Sequence, residues 1–137
     1  MGLLIDSSVL IEAERGHLDL AARVRGRAGE EAFISAITVS EILFGVHRAT
    51  DPSVRNRRAA VAEALLSRFE VLGIDGAVAR LHAQLKADLA VRGTPIGPHD
   101  LWLAATCMLH GLTMVTGNLR EFRRVPGLRV EAWADPA

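Results

Sequence analysis

The sequence predicts an α/β fold with three layers, α/β/α, around a mostly parallel sheet of four to five strands, in a single domain spanning 1–137. Three observations lead there. Short apolar runs alternate with longer amphipathic segments, the order that builds a parallel sheet covered on both faces. No repeat, low-complexity stretch or linker divides the 137 residues, a length that ordinarily makes one domain. Acids or a Gly-Asn step close several of the strand-like runs, and the carboxyl edge of a parallel sheet is where ligands bind.

The elements follow in order. Gly2 to Asp6 is a short apolar run ending in an acid, as a buried strand does. Ser7 or Ser8 is expected to cap the helix that begins with Val9-Leu10-Ile11, and Gly16 to stop it. A second helix, about Leu18 to Arg27, sets Leu20, Ala21 and Val24 on one face, and Gly29 with Glu30-Glu31 turns the chain into a strand from Ala32 to Ala36. Thr38 to about Arg48 reads as a helix opened by a Thr38-x-x-Glu41 capping box. Asp51-Pro52-Ser53 opens another, running to about Arg68, because proline suits the first helical position. Phe69 to Ile74 is the third strand. Asp75 then caps a helix to about Arg92 with Val78, Leu81, Leu85 and Leu89 near a 3.6-residue period. After the loop Gly93 to Gly97, a helix runs from Pro98 to His110 and stops at Gly111. Leu112 to Thr116 is the fourth strand, Leu119 to Phe122 a helical turn, and Leu128 to Ala132 an edge strand.

Composition narrows the function. The chain is 50% apolar, yet no apolar run approaches the roughly 20 residues that span a bilayer. The opening Met1-Gly2-Leu3-Leu4-Ile5-Asp6 lacks the basic leader of a secretory signal, and Asp6 stands where a myristoylation signal has Ser or Thr. A single cysteine, Cys107, cannot pair within the chain, which agrees with a reducing compartment. The expected location is the cytoplasm, with no membrane partner. Basic and acidic residues balance at sixteen each. Nearly all the basic charge is arginine, grouped at Arg23, Arg25 and Arg27, at Arg55, Arg57 and Arg58, and at Arg120, Arg123 and Arg124. Guanidinium groups suit phosphate geometry, although such clusters are commonly just solvated helix faces.

Three carboxylates matter most. Asp6 and Glu41 follow the first two strands, and Asp100 lies in the first turn of the helix that precedes the fourth. Each has an ordinary explanation: Asp6 as a cap, Glu41 as the partner in its capping box, Asp100 as a favourable charge at a helix start. Asp75 also follows a strand and opens a helix, and position alone does not separate it from the other three. Together, acids at a sheet's carboxyl edge repel one another unless a cation compensates. Mg²⁺ favours oxygen ligands and is typically held through one or two carboxylates and several waters. Such an ion polarises a phosphoryl oxygen and activates water, so phosphodiester hydrolysis fits the inventory better than acyl transfer. No serine sits in a nucleophile elbow, no P-loop or G-x-G-x-x-G occurs, and Cys107 and the five histidines show no zinc spacing. His99 adjoins Asp100 and is expected at the surface or in a cap.

These residues resemble a family. Leu4-Ile5-Asp6-Ser7-Ser8-Val9-Leu10-Ile11 is similar to the opening of PIN-domain proteins. Ser35-Ala36-Ile37-Thr38-Val39-Ser40-Glu41-Ile42 resembles their second motif. Ile96-Gly97-Pro98-His99-Asp100-Leu101-Trp102-Leu103-Ala104-Ala105 resembles the third, and Val115-Thr116-Gly117-Asn118-Leu119-Arg120-Glu121-Phe122 the fourth. Four weak motifs in the family's order make a specific match. The ending Arg123-Arg124-Val125-Pro126-Gly127-Leu128 is similar to VapC toxins of bacterial toxin–antitoxin pairs. The resemblance implies a Mg²⁺- or Mn²⁺-dependent endoribonuclease, silenced by a VapB-type antitoxin and usually a homodimer. It implies that Asp6, Glu41 and Asp100 are metal ligands, that Thr116 orders the site, and that Asn118 coordinates or holds water. Many members carry Asn two residues after the first Asp, where this chain has Ser8. Many carry a fourth acid in the last motif, where Asn118 stands with Glu121 three residues on. Whether Asn118 or Glu121 completes the site, and whether one ion or two is held, stays open at this stage. The helices near Leu10, Leu20 and Ile42 are expected to offer a groove for an antitoxin helix. The alternative is a catalytically weak protein of the same fold that binds RNA or a partner. A phospho-acceptor receiver domain fits poorly, since it resembles a pattern of paired acids after the first strand and a lysine after the last. The only lysine here, Lys86, lies mid-helix.

Overall fold

A computed structural model describes residues 2–27 and 29–133. Met1, Ala28 and residues 134–137, which the single-domain reading includes, lie outside the described residues. The elements are β1 (Leu3–Ile5), α1 (Ser7–Glu14), α2 (Leu20–Arg25), β2 (Ala32–Ser35), α3 (Ala36–His47), α4 (Pro52–Leu66), β3 (Glu70–Leu72), α5 (Gly76–Val91), α6 (Pro98–Leu109), β4 (Thr113–Thr116), α7 (Leu119–Phe122) and β5 (Val130–Ala132). Every predicted element is present, and the five strands form one wholly parallel sheet in the order β3-β2-β1-β4-β5.

Side chains of a strand alternate between faces, and the core divides accordingly. Leu3, Ile5, Ile34 and Val115 join the apolar residues of α1 to α4 on one face. Leu4 and Met114 join α5, α6 and α7 on the other, with Leu85, Leu89, Leu103 and Phe122. Burying each such side chain is worth about 1.5–3 kcal/mol, so the sheet is clamped from both sides. The stacked rings of His82 and Trp102, with centroids 3.5 Å apart, add a contact between α5 and α6 and help fix the helix that carries Asp100.

Strand order sets the position of the site. The chain starts in the centre at β1, builds outward through β2 to β3, then crosses back to β4 and β5. The direction of winding therefore reverses between β1 and β4, and their carboxyl ends flank the crevice where such sheets bind ligands. Asp75 leaves β3 at the far edge, and its Oδ1 accepts from the Val78 N–H at 2.9 Å, so it serves α5 as a cap.

Local signals hold at most helix boundaries. Asp51 Oδ1 accepts from the Ser53 N–H at 2.9 Å with Pro52 in the first turn of α4. Gly111 ends α6 in the left-handed region, at φ 64°. Two expectations are corrected. Helix α3 begins at Ala36, earlier than Thr38, because the Ser35 hydroxyl accepts from the Ile37 N–H at 3.0 Å and caps it. Thr38 is consequently buried inside the helix with no partner for its hydroxyl, and no capping box engages Glu41. Helix α1 is likewise capped in position by Asp6, with Ser7 and Ser8 already inside it. Cys107 is a buried helix residue whose thiol donates to the Leu112 carbonyl at 3.2 Å; burial pushes its pKa up to about 12, which leaves it inert as a nucleophile.

Candidate active site

Asp6 leaves β1 as the last extended residue before α1. Its backbone N–H continues the ladder to the Val115 carbonyl at 2.9 Å, while its side chain makes no capping bond. The carboxylate turns instead into the crevice. There Oδ2 accepts from the Thr116 hydroxyl at 2.7 Å and from the Ser8 hydroxyl at 2.8 Å. Asp6 is 5% exposed and Thr116 is fully buried, so this charge is held by charge-assisted hydrogen bonds of the stronger sort. Thr116 Oγ1 also accepts the Asn118 N–H at 2.9 Å.

Glu41, released from the expected cap, reaches the crevice from the body of α3. Its Oε2 accepts from the Ser7 hydroxyl at 3.3 Å, and its Oε1 is buried with no hydrogen-bond partner. Burial pushes its pKa up and the charge of Asp6 adds to that rise, while His99 and Ser7 oppose it. His99 is exposed at the rim, its Nδ1 3.9 Å from Glu41 Oε1. It is thus a surface residue, as expected, but one within reach of the pocket.

Asp100 stands in the first turn of α6, and its pKa is raised to about 7. Burial is the main cause, followed by a hydrogen bond with Glu121 and by the charges of Asp6, Glu121 and Glu41. That set of neighbours shows the three predicted acids sharing one electrostatic environment, joined by a fourth. Glu121 accepts the Gly97 N–H at Oε1 and the Asn118 side-chain amide, 3.0 Å away, at Oε2. Those bonds, with the hydrogen bond to Asp100 and the nearby Arg124, hold its pKa below the ordinary glutamate value. Asp100 and Glu121 therefore share one proton up to neutrality, with the proton residing on Asp100. Of the two residues the sequence left open, Glu121 is the one in hydrogen-bond contact with Asp100, and the Asn118 amide donates to Glu121.

Among the described residues, no group of three or more His, Cys, Asp or Glu side chains is placed to hold a metal ion by itself. The donor set nevertheless suits a hard divalent ion. It is made of carboxylate oxygens, one of them buried and unpartnered at Glu41, and such an ion needs only one or two direct carboxylates beside its waters. Sequence reasoning missed Ser7 and Ser8 as site residues. The signals were two hydroxyls directly after a strand-ending acid, which a helix cap explains equally well, and Ser8 standing where many members of the resembled family carry Asn.

The shared proton makes a measurable prediction. A cation entering beside Asp100 must displace a proton that the folded chain holds up to about pH 7. Metal affinity should therefore climb with pH up to neutrality, by as much as about tenfold per unit, and level off above it. Calorimetric titration with Mn²⁺ between pH 5.5 and 8 checks this, and a flat profile would contradict the proton assignment.

A five-stranded parallel sheet, covered by helices on both faces and carrying carboxylates at its winding reversal, defines a class of small α/β domain. The chain belongs to the PIN-domain family, whose pattern matches residues 3–128. Within that family it groups with VapC proteins. A tRNA(fMet)-specific endonuclease VapC from Salmonella typhimurium is 44% identical over 100 residues, covering 73% of this chain and 74% of that one. Ribonuclease VapC1 from Rickettsia felis is 35% identical over 130 residues, 95% of each chain. The DNA-bound VapBC structure from Salmonella typhimurium matches with a TM-score of 0.88 at 34% identity, covering 98% of this chain and 99% of that one.

Proposed function

We propose that this protein is an endoribonuclease, the toxin of a VapBC-type toxin–antitoxin pair, and that it hydrolyses RNA phosphodiester bonds with Mg²⁺ or Mn²⁺. The observation that carries the proposal is the convergence of Asp6, Glu41, Asp100 and Glu121 on one crevice, with a buried Glu41 oxygen left unpartnered. Kinship with VapC ribonucleases supports the same reading.

Asp6, Glu41 and Asp100 would hold the ion. When bound, the ion polarises the scissile phosphoryl group and offsets the charge that develops on it. Thr116 orients the Asp6 carboxylate through its 2.7 Å hydrogen bond to Oδ2. Asn118 holds Glu121 beside Asp100. Arg120 and Arg124 line a polar cleft of about 410 Å³ with Asn118 and Glu121. They would grip the RNA backbone through contacts that weaken as salt rises. An RNA substrate supports a cytoplasmic location; no described helix is long and apolar enough to cross a membrane.

Of the residues around which the antitoxin groove is expected, Leu10 and Leu20 are buried in the core, while Ile42 lines an open groove. That groove lies between α1, α3 and α4, with about 630 Å³ walled by Ile42 together with Ile11, Val46, Val61, Arg57 and Arg58. An amphipathic antitoxin helix would seat its apolar face there. We place residues 1–137 in a single PIN domain and expect a homodimer.

Removing metal tests the enzyme. RNA cleavage by the purified protein should stop on chelation and return with added Mg²⁺ or Mn²⁺, and separate tRNA, ribosomal and messenger pools identify the substrate. RNA binding without cleavage under any metal would favour the alternative, a catalytically weak PIN-fold protein that binds RNA or a partner.

A further inference from the structure

We propose that Ser8 is a positioning residue, the tether that locks the corner carrying Asn118 and Glu121 onto Asp6. The proposal rests on the nuclease reading of this crevice. Ser8 lies in the first turn of α1 but caps nothing, since Asp6 occupies the cap position. Its hydroxyl donates to Asp6 Oδ2 at 2.8 Å and accepts the Gly117 N–H at 2.9 Å. Thr116 does the same one residue earlier, donating to the same oxygen at 2.7 Å and accepting the Asn118 N–H at 2.9 Å.

A hydroxyl has a single proton. The two hydroxyls stand 3.4 Å apart, and with each proton committed to Asp6, that approach is packing rather than a further bond. Two backbone N–H groups of the β4–α7 corner are thus relayed through two hydroxyls onto one carboxylate oxygen. The other oxygen of Asp6 takes no part in the relay. Both links bridge segments more than a hundred residues apart in the chain, Ser8 to Gly117 by 109 and Thr116 to Asp6 by 110. Among the hydrogen bonds of the described residues, only those of Ser8 join α1 to the corner. A Cβ at Gly117 would lie 3.5 Å from Ser8 Oγ, at ordinary contact, so the link does not depend on glycine at this position. Without the Ser8 hydroxyl, Gly117 has no side-chain acceptor, and Asp6 depends on Thr116 alone for its orientation.

The test compares Ser8→Ala, Ser8→Val and Ser8→Thr, the last two being nearly isosteric and differing in the hydroxyl. In the metal-free protein, amide exchange at Gly117 should speed up several-fold in Ser8→Ala and Ser8→Val and stay near wild type in Ser8→Thr. Mn²⁺ affinity by calorimetry should fall about 10-fold or more in the two hydroxyl-free variants, the range seen when a residue that orients a metal ligand is lost. The kcat for RNA should fall with it, while KM for RNA holds, because Ser8 makes no contact with the substrate path of Arg120 and Arg124. Should Ser8→Ala fail to fold, the Val and Thr pair alone decides the matter. Wild-type exchange at Gly117 and wild-type Mn²⁺ affinity in Ser8→Val would overturn the proposal. Failure of the wild-type protein to cleave RNA would instead refute the nuclease reading, with the exchange and calorimetric measurements still judging Ser8.

Discussion

Replacing Asp100 with alanine is expected to abolish nearly all metal-dependent RNA cleavage, a fall of about 10³-fold, equivalent to losing roughly 4 kcal/mol of transition-state stabilisation. Asp100 faces three other acids, and without it the ion loses a direct ligand and Glu121 loses its partner. The same position carries an opposite signature in stability. In the folded chain Asp100 holds its proton to about pH 7, whereas an ordinary aspartate releases it near 3.8. The folded state therefore binds more protons across that window, and its stability falls as pH rises from about 4 to about 7. Asp100→Asn removes that liability. At pH 8 without metal, Asp100→Asn should melt higher than wild type, yet gain little from added Mn²⁺. Melting curves with and without the ion, run beside cleavage assays, separate a ligand from a merely structural acid. Wild-type cleavage by Asp100→Ala would mean that the active site lies elsewhere.

Phe122→Ala should have the largest effect on stability. The ring is fully buried where α7 meets the α5–α6 face of the sheet. Removing a buried aromatic typically costs about 3–5 kcal/mol, a large share of the 5–15 kcal/mol that holds an ordinary domain together. The expected fall in Tm is about 10–20 °C. Phe122 is also the residue that packs α7, the short helix that opens at Asn118 and carries Glu121. Metal affinity should therefore drop even at temperatures where Phe122→Ala remains folded. Phe44, exposed on α3, is the internal control: its alanine variant should stay within about 0.5 kcal/mol of wild type. Equal melting of the two variants would show that α7 is not held by its core contact.

Much of this was legible in the residues. The strand-then-helix order, the caps at Asp51 and Asp75, and the helix stops at Gly16 and Gly111 are written in patterns a few residues long. Asp6, Glu41 and Asp100 could be singled out because each sits at or near an element boundary, and boundaries at one edge of a parallel sheet are neighbours. The cap of α3 was misread because Ser35 and Thr38 are both good capping residues, and local propensity does not rank them. Both are fully buried, and the backbone decides: β2 ends at Ser35, whose hydroxyl meets the Ile37 N–H, while the Thr38 hydroxyl finds no partner inside the helix. Of the apolar residues expected at the groove, Leu10 turned into the core and Ile42 reached the groove wall, because a periodic stripe does not say which side is covered.

The sequence by itself determined the order of the elements, the fold class and which acids were available, because hydrophobic period and turn chemistry act over a few residues. Tertiary structure alone decided that Glu121 meets Asp100, that Asn118 serves it, and that Ser8 and Thr116 both grip one oxygen of Asp6. The Thr116–Asp6 and Ser8–Gly117 links join segments from opposite ends of the chain. They exist because β1 and β4 lie side by side where the winding of the sheet reverses, a relation that no local stretch of sequence contains.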